Sequence, residues 1–244
     1  MERLLHSEVI SSQLSLGLEL EPTVSFDNFY ISPKNSFNQK AMQHLKELLD
    51  KKGEKIIYFY GPPGAGKTHL LQAACVDVMK HHESAIYVSL KKRSEYHEEM
   101  LQNLESLSLI CIDDLESIAG DDKWEEALFH LYNAIFTTGA RLILAGTALP
   151  NKLNLNLDDL VSRLAWSLNL KIEPLVDQEA WAVLENQAQE IGLKFAPKVK
   201  SFLLQHSKRD IQSLSAWVKL LKKISMETRR PVTVPLIKKL MGVI

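Results

Sequence analysis

Long hydrophobic runs are absent from this sequence of 244 residues. No apolar stretch approaches the roughly 20 residues that a membrane-spanning helix needs. Residues 1–6 show neither the apolar core nor the small-residue cleavage site of a signal peptide. These absences predict no membrane association and a cytoplasmic location. Hydrophobic residues still make up 45% of the chain, which is enough for a full core.

Cysteine is also scarce, since the chain contains only Cys75 and Cys111. The first falls in a predicted helix and the second in a predicted strand, so their spacing fits neither a metal site nor a redox pair. We therefore expect two buried thiols.

The net charge of −1 is small, but it conceals an asymmetry. Residues 193–244 contain 12 lysines and arginines and only two acids, so this segment carries +10 and the rest of the chain −11. Such a segment is either a solvated helix face or a surface that contacts DNA phosphates in a salt-dependent way. No recognition helix for sequence-specific DNA reading is evident.

The most informative segment matches G-x-x-x-x-G-K-[ST] between a β-branched, aromatic run at 56–60 and a helical pattern. Glycines let backbone N–H groups wrap around a phosphate at a helix N-terminus. The motif predicts nucleotide binding, with Lys67 on the β- and γ-phosphates and Thr68 on Mg²⁺. Its residues are Gly61, Pro62, Pro63, Gly64, Ala65, Gly66, Lys67 and Thr68. His69 is expected on the surface of the following helix.

Carboxylates follow a second apolar strand, at 107–112. Because the carboxyl ends of parallel strands meet at one edge, Asp113 is expected to hold Mg²⁺ through water and Asp114 to orient the attacking water. The alternative is that both acids merely end a strand. Thr147 closes the next strand, where it either contacts a γ-phosphate or its water, or serves as an ordinary strand end.

Strand and helix patterns alternate through the first two thirds of the chain. Strands at 56–60, 85–90, 107–112, 142–145 and 168–172 predict an α/β fold with a five-stranded parallel sheet. A helix at 124–137 buries Ala127, Leu128, Leu131 and Ile135 and places Glu125 on its polar surface.

The β pattern stops after Pro174. Helices at 177–192, 197–207, 210–226 and from 235 onward predict a small all-helical domain. The predicted organisation is thus a flexible tail at 1–24, an α/β nucleotide-binding domain at 25–173 and a helical lid at 174–244.

Two arginines are candidates for contacting phosphates. Arg209 lies in the helical region, from which it can fold over the nucleotide of its own chain. Arg163 precedes the last strand, where it either reaches a neighbouring chain's nucleotide or forms a surface ion pair with Asp158 or Asp159.

Taken together, these residues resemble the AAA+ ATPases, and among them the DnaA family. The resemblance rests on Phe26-Asp27-Asn28-Phe29, Gly61–Leu71, Ile112-Asp113-Asp114 and Ser162-Arg163-Leu164-Ala165-Trp166. It implies ADP or ATP and Mg²⁺ as cofactors, with Phe26, Asn28, Phe29 and His69 at the nucleotide, Thr147 and Arg209 as sensors and Arg163 as a finger acting in trans. Head-to-tail pairing of relatives implies a homodimer or oligomer.

Within that family the sequence is most similar to the DnaA-homologous regulatory inactivators. After the helical region it shows no helix-turn-helix domain like that of the initiator. Members of this group, bound to ADP and to the DNA-loaded sliding clamp, the beta subunit of DNA polymerase, trigger hydrolysis of DnaA-bound ATP. The tail resembles their clamp-binding peptide at Gln13, Leu14, Ser15, Leu16 and Leu18. The alternating leucines of this tail also fit an edge strand.

Three functions therefore follow from the sequence. The leading one is a clamp-dependent inactivator of the initiator, which prevents re-initiation of replication. The second is an autonomous ATPase such as a helicase loader or transposition helper, because the phosphate loop is complete. The third is a non-catalytic scaffold locked on ADP.

Overall fold

The computed structural model describes residues 24–32, 35–175, 179, 181, 182, 185, 188, 189, 192, 193, 196–206, 211–228 and 232–241. These residues fall into two compact units, one ending at Glu173 and the other beginning at Pro174. Val24, which the sequence assigned to the tail, is buried.

The first unit is built on a sheet of five parallel strands. The strands are β1 (Ile56–Tyr60), β2 (Ala85–Ser89), β3 (Leu109–Asp113), β4 (Arg141–Gly146) and β5 (Leu168–Lys171). Their order across the sheet is β2-β3-β4-β1-β5, which confirms the predicted α/β fold. The edge strand β5 is the least buried of the five.

Helices cover both faces of the sheet, because successive strand residues point to opposite sides. They are α1 (Ser36–Leu49), α2 (Lys67–Lys80), α3 (Asp122–Thr137) and α4 (Asp158–Trp166). Tyr58 and Ile110 pack into a core with α3 and α4, whereas Ile57 and Cys111 pack into a second core with α1 and α2. Both cysteines are buried, as expected, and burial raises the pKa of the Cys111 thiol.

Glu125 corrects the sequence interpretation of α3. The helical pattern placed it on the polar surface, but its side chain is fully buried. One carboxylate oxygen accepts the backbone N–H of Gly120 at 2.8 Å, and the other accepts that of Leu157, also at 2.8 Å. Gly120 follows the turn after β3, and Leu157 is the residue at which α4 begins. Glu125 therefore joins the segment after β3 to the start of α4.

All regular secondary structure among the described residues of the second unit is helical. The described residues between Glu179 and Gln189 are helical, and α5 (Pro197–His206), α6 (Ile211–Thr228) and α7 (Val234–Leu240) follow. Trp181, Phe202 and Leu221 belong to its own apolar core. The predicted start of the first of these helices, Asp177, lies outside the described residues. None of the described helices has the length and hydropathy needed to cross a membrane.

The buried carboxylate of Glu125 generates a stability prediction. In Glu125→Gln an NH₂ group, which donates and cannot accept a hydrogen bond, replaces one carboxylate oxygen, so one buried N–H loses its partner. We expect the free energy of unfolding to fall by about 1–3 kcal/mol, measured by urea denaturation. The matched control is Glu126→Gln, because the neighbouring Glu126 is exposed. Equal stability of the two variants would contradict the assigned contacts.

Candidate functional site

The glycine-rich loop connects β1 to α2 at the carboxyl edge of the sheet. Gly64 and Gly66 have φ angles of 81° and 99°, a left-handed conformation that favours glycine. Gly61 is required for a different reason, because a Cβ there would overlap the backbone carbonyl oxygen of Ile172. The loop is therefore shaped partly by its packing against the chain that leaves β5.

Lys67 is held inside this loop and is only 8% exposed. Its Nζ donates to the carbonyl oxygen of Gly61 at 2.6 Å and to that of Pro62 at 3.2 Å. Burial lowers the pKa of this ammonium, and the nearby carboxylates of Asp113 and Glu116 oppose the change. The cation is thus hydrogen-bonded to the loop backbone and lies near several negative charges.

Thr68 and Asp113 are brought into direct contact. Oδ2 of Asp113 accepts the Thr68 hydroxyl at 2.5 Å and the Tyr87 hydroxyl at 3.1 Å. Oδ1 accepts the backbone N–H of Asp114 at 2.9 Å. Burial raises the pKa of the Asp113 carboxyl, and the charge of Asp114 raises it further, while the hydrogen bond from Thr68 opposes both. A hydroxyl beside a carboxylate supplies the oxygen ligands that Mg²⁺ prefers, so this pair fits the ion.

Asp114 is held in a different way from Asp113. Its backbone is left-handed, with φ 63° and ψ 45°, a conformation that Asp tolerates better than most residues. Oδ2 accepts the Ser89 hydroxyl at 2.8 Å, and Oδ1 pairs with Nζ of Lys91 at 2.5 Å. Both carboxylate oxygens are therefore engaged by the residues that end and follow β2.

A third carboxylate, Glu116, links the ends of β3 and β4. Its Oε2 accepts the backbone N–H of Thr147 at 3.1 Å. A Cβ on the preceding Gly146 would overlap the hydroxyl of Tyr58 and would lie 3.5 Å from the same Oε2. Thr147 thus lies at the same edge of the sheet as Asp113, and its role towards a phosphate stays a prediction.

The entry segment, Ser25–Phe29, packs on the start of α2. A Cβ on Gly66 would lie 2.7 Å from Cε2 of Phe29. His69 contacts this ring at 5.6 Å between centroids, and its Nε2 lies 2.8 Å from the carbonyl oxygen of Ser25. His69 is half-buried on the surface of α2, because the entry segment covers part of the helix there. Phe26 packs against the core that α1 and α2 form with the sheet. The side chain of Asn28 lies outside the described residues.

Arg163 lies in the last turn of α4, immediately before the edge strand β5. Among the described residues it forms no ion pair with Asp158 or Asp159, which were the alternative partners. Its carbonyl oxygen accepts the Tyr132 hydroxyl at 2.8 Å. Burial raises the pKa of Tyr132 to about 12, and the Arg163 guanidinium opposes that rise. One turn further along, Trp166 is 83% exposed.

Two predicted elements lie outside the described residues. These are Arg209 and the tail segment with Gln13, Leu14, Ser15, Leu16 and Leu18. The structure adds four side chains that the sequence had not singled out, namely Tyr87, Ser89, Lys91 and Glu116. Ser89 could have been found, because it ends a strand in register with Asp113. That reasoning needs the knowledge that β2 and β3 are neighbours.

Two family profiles match the chain. The profile of the bacterial DnaA ATPase domain matches residues 20–171, and that of the lid domain of Hda matches residues 177–241. The chain belongs to the DnaA family of AAA+ ATPases, as an Hda-type member. The predicted AAA+ fold is thereby confirmed, together with the helical region after it.

Solved structures of DnaA-family proteins share this fold. AMPPCP-bound DnaA from Aquifex aeolicus is 28% identical, with a TM-score of 0.67 over 83% of this chain and 66% of that one. A replication initiator DnaA bound to AMPPCP and single-stranded DNA is 26% identical, with a TM-score of 0.67 over 86% and 69%. Domain III of DnaA from Thermotoga maritima is 22% identical, has a TM-score of 0.75 over 92% and 98%, and shows the fold alone. The chain spans about two thirds of the two nucleotide-bound relatives.

The packing of this DnaA-type phosphate loop on β5 can be tested at Gly61. In Gly61→Ala the added methyl group forces either the loop or the backbone after β5 to move, and overpacking of this kind costs about 1–3 kcal/mol. We expect ADP affinity to fall by at least about tenfold, because the loop is displaced, as measured by titration with a fluorescent ADP.

The control is Gly139→Ala, since a Cβ at Gly139 meets no atom within 4 Å. Unchanged ADP affinity in Gly61→Ala, with Gly139→Ala also unchanged, would show that this packing does not shape the loop.

Proposed function

We propose that this chain is a regulatory inactivator of the replication initiator DnaA. In its ADP-bound form it binds the DNA-loaded sliding clamp and stimulates hydrolysis of the ATP held by DnaA. The observation that carries the proposal is the state of Arg163, whose guanidinium has no acidic partner among the described residues. The match to the Hda lid profile supports the same assignment.

The site also supports binding of an adenine nucleotide by the chain itself. Two DnaA relatives are bound to AMPPCP, and the complete loop here places Lys67 beside the oxygens of Thr68 and Asp113. We propose that Lys67 contacts the phosphates and that Thr68 and Asp113 hold Mg²⁺, which neutralises phosphate charge when bound. Arg209 is proposed to contact this nucleotide from the lid.

The surface around Arg163 has the composition of a protein interface. Arginine and tryptophan are enriched among residues that dominate binding energy, and Trp166 follows Arg163 by three positions on α4, so the two side chains lie on neighbouring positions of the helix surface. Tyr132 fixes the backbone of this turn. We propose that Trp166 packs on DnaA while the Arg163 guanidinium reaches the γ-phosphate.

An autonomous ATPase is the second candidate. The observation that favours it is the intact set of Lys67, Thr68, Asp113 and Asp114 at one edge of the sheet. The chain alone would then release phosphate from ATP at a rate that does not change when clamp, DNA and DnaA are added. Phosphate release measured with and without clamp, DNA and DnaA therefore distinguishes the two functions.

Arg163→Ala tests the leading proposal. A guanidinium that neutralises transition-state charge contributes about 10³–10⁵ in rate, so we expect phosphate release from ATP-loaded DnaA to fall to its unstimulated level. ADP and clamp binding should remain unchanged. The control is Lys152→Ala, which removes an exposed cation that precedes α4. Full stimulation by Arg163→Ala would overturn the assignment.

The proposed clamp contact is tested in the tail. Leu16→Ala with Leu18→Ala should abolish the clamp dependence of the stimulation, because the apolar subsites of the clamp lose their anchors. Surface plasmon resonance on immobilised clamp gives the affinity directly. Leu20→Ala is the matched control, since Leu20 continues the alternation outside the peptide. If Leu20→Ala lowered the affinity for the clamp as much as the changes at Leu16 and Leu18, the edge-strand alternative would be favoured over a clamp peptide.

A further inference from the structure

Three carboxylates lie at the phosphate-binding edge of the sheet, and their charges are compensated to different degrees. Asp113 is a proposed ligand of Mg²⁺, and Asp114 pairs with Nζ of Lys91. Glu116 accepts the backbone N–H of Thr147, and within the part of the chain that the structure describes it forms no ion pair. Its negative charge is therefore the one at this edge that neither a paired cation nor the proposed metal ion neutralises.

The charge of Glu116 acts on the phosphate-binding lysine. Burial lowers the pKa of the Lys67 ammonium, and the charges of Asp113, Glu116 and Asp114 oppose this change in decreasing order. Glu116 thus acts on Lys67 more strongly than Asp114 does, although Asp114 adjoins Asp113 in the chain. Since Lys67 is proposed to contact the β- and γ-phosphates, a carboxylate that attracts its ammonium repels the phosphates bound to it.

The contact with Thr147 fixes this carboxylate at the end of β4. Oε2 of Glu116 accepts the Thr147 N–H at 3.1 Å. Thr147 is the residue predicted to contact a γ-phosphate or its water, so Glu116 is held on the side where a triphosphate extends beyond a diphosphate. The Glu116 side chain is half-buried, and solvent therefore screens its charge only in part.

We propose that Glu116 is a specificity-determining residue that favours ADP over ATP in the nucleotide site of this chain. The proposal rests on the proposed nucleotide binding by Lys67, Thr68 and Asp113. ATP carries an additional phosphoryl group with its negative charge, and ADP has no group in that position. A chain biased in this way reaches its ADP-bound form by nucleotide exchange, without hydrolysing ATP.

The test compares the Kd of the purified full chain for ADP with its Kd for AMPPCP, a non-hydrolysable ATP analogue, in the presence of Mg²⁺. In Glu116→Gln the amide carbonyl oxygen still accepts the Thr147 N–H, so the charge is removed and the contact is kept. We expect the ratio of the Kd for AMPPCP to the Kd for ADP to fall by about three- to tenfold, because one partly screened unit charge no longer opposes the γ-phosphate. The difference between the two proteins should shrink as the salt concentration rises.

Three further variants separate the charge of Glu116 from its hydrogen bond. Glu116→Asp keeps the charge and should retain a ratio close to that of the wild type. Glu116→Ala removes both the charge and the contact, and it should lower the ratio as Glu116→Gln does. The matched control is Glu126→Gln, which removes a negative charge at an exposed position of α3 and should leave the ratio unchanged.

The inference is overturned if Glu116→Gln leaves the ratio unchanged or raises it. It is also overturned if only Glu116→Ala changes the ratio, since positioning of Thr147 rather than charge would then set the preference. An equal fall of the ratio in Glu126→Gln would contradict it as well, because net charge alone would be responsible.

Failure of the proposed nucleotide binding gives a different result. If the wild-type chain bound neither ADP nor AMPPCP, that binding would be refuted, and the selectivity with it. If both ligands bound and Glu116→Gln had no effect on the ratio, only the selectivity would fail. Stimulation of DnaA-bound ATP hydrolysis does not enter these measurements.

Discussion

The buried carboxylate of Asp113 is the charge around which the nucleotide site is organised. It is 1% exposed, and a charge in that position is costly unless hydrogen bonds compensate it. The compensation comes from three places, because Thr68 lies in the first turn of α2, Tyr87 lies in β2 and the backbone N–H belongs to the turn after β3. The carboxylate therefore fixes the mutual positions of three elements at the edge where the phosphate loop opens.

Glu125 plays a corresponding role between this site and Arg163. It joins Gly120, beyond the turn that Asp114 begins, to Leu157 at the start of the arginine-bearing helix α4. Tyr132 then holds the last turn of α4 at the carbonyl oxygen of Arg163. Packed and hydrogen-bonded elements thus run continuously from the two acids to the guanidinium. The position of Arg163 is set by the same unit that carries the phosphate loop.

Local pattern was sufficient for the strands and the loop, because neighbouring residues such as Tyr58 and Phe59 are buried on opposite faces of the sheet and the glycines follow directly. The pattern failed at Glu125, since helical spacing does not indicate that two distant N–H groups converge on one carboxylate. The sequence analysis missed Ser89 and Lys91 for a related reason. Their role depends on β2 lying beside β3, and strand order is a property of the fold rather than of any short segment.

The proposed nucleotide binding and the proposed action of Arg163 are independent parts of one behaviour. A regulator that acts repeatedly on other molecules benefits from a nucleotide that it does not itself consume, because the bound ligand stabilises the folded state by about 2.7 kcal/mol at a hundredfold excess over Kd. Bound ADP supplies that stabilisation in the proposed active form without further hydrolysis. In the proposed function Arg163 needs no hydrolysis in its own chain, since its charge would act on the ATP held by DnaA. An intact phosphate loop is therefore compatible with chemistry that takes place on another molecule.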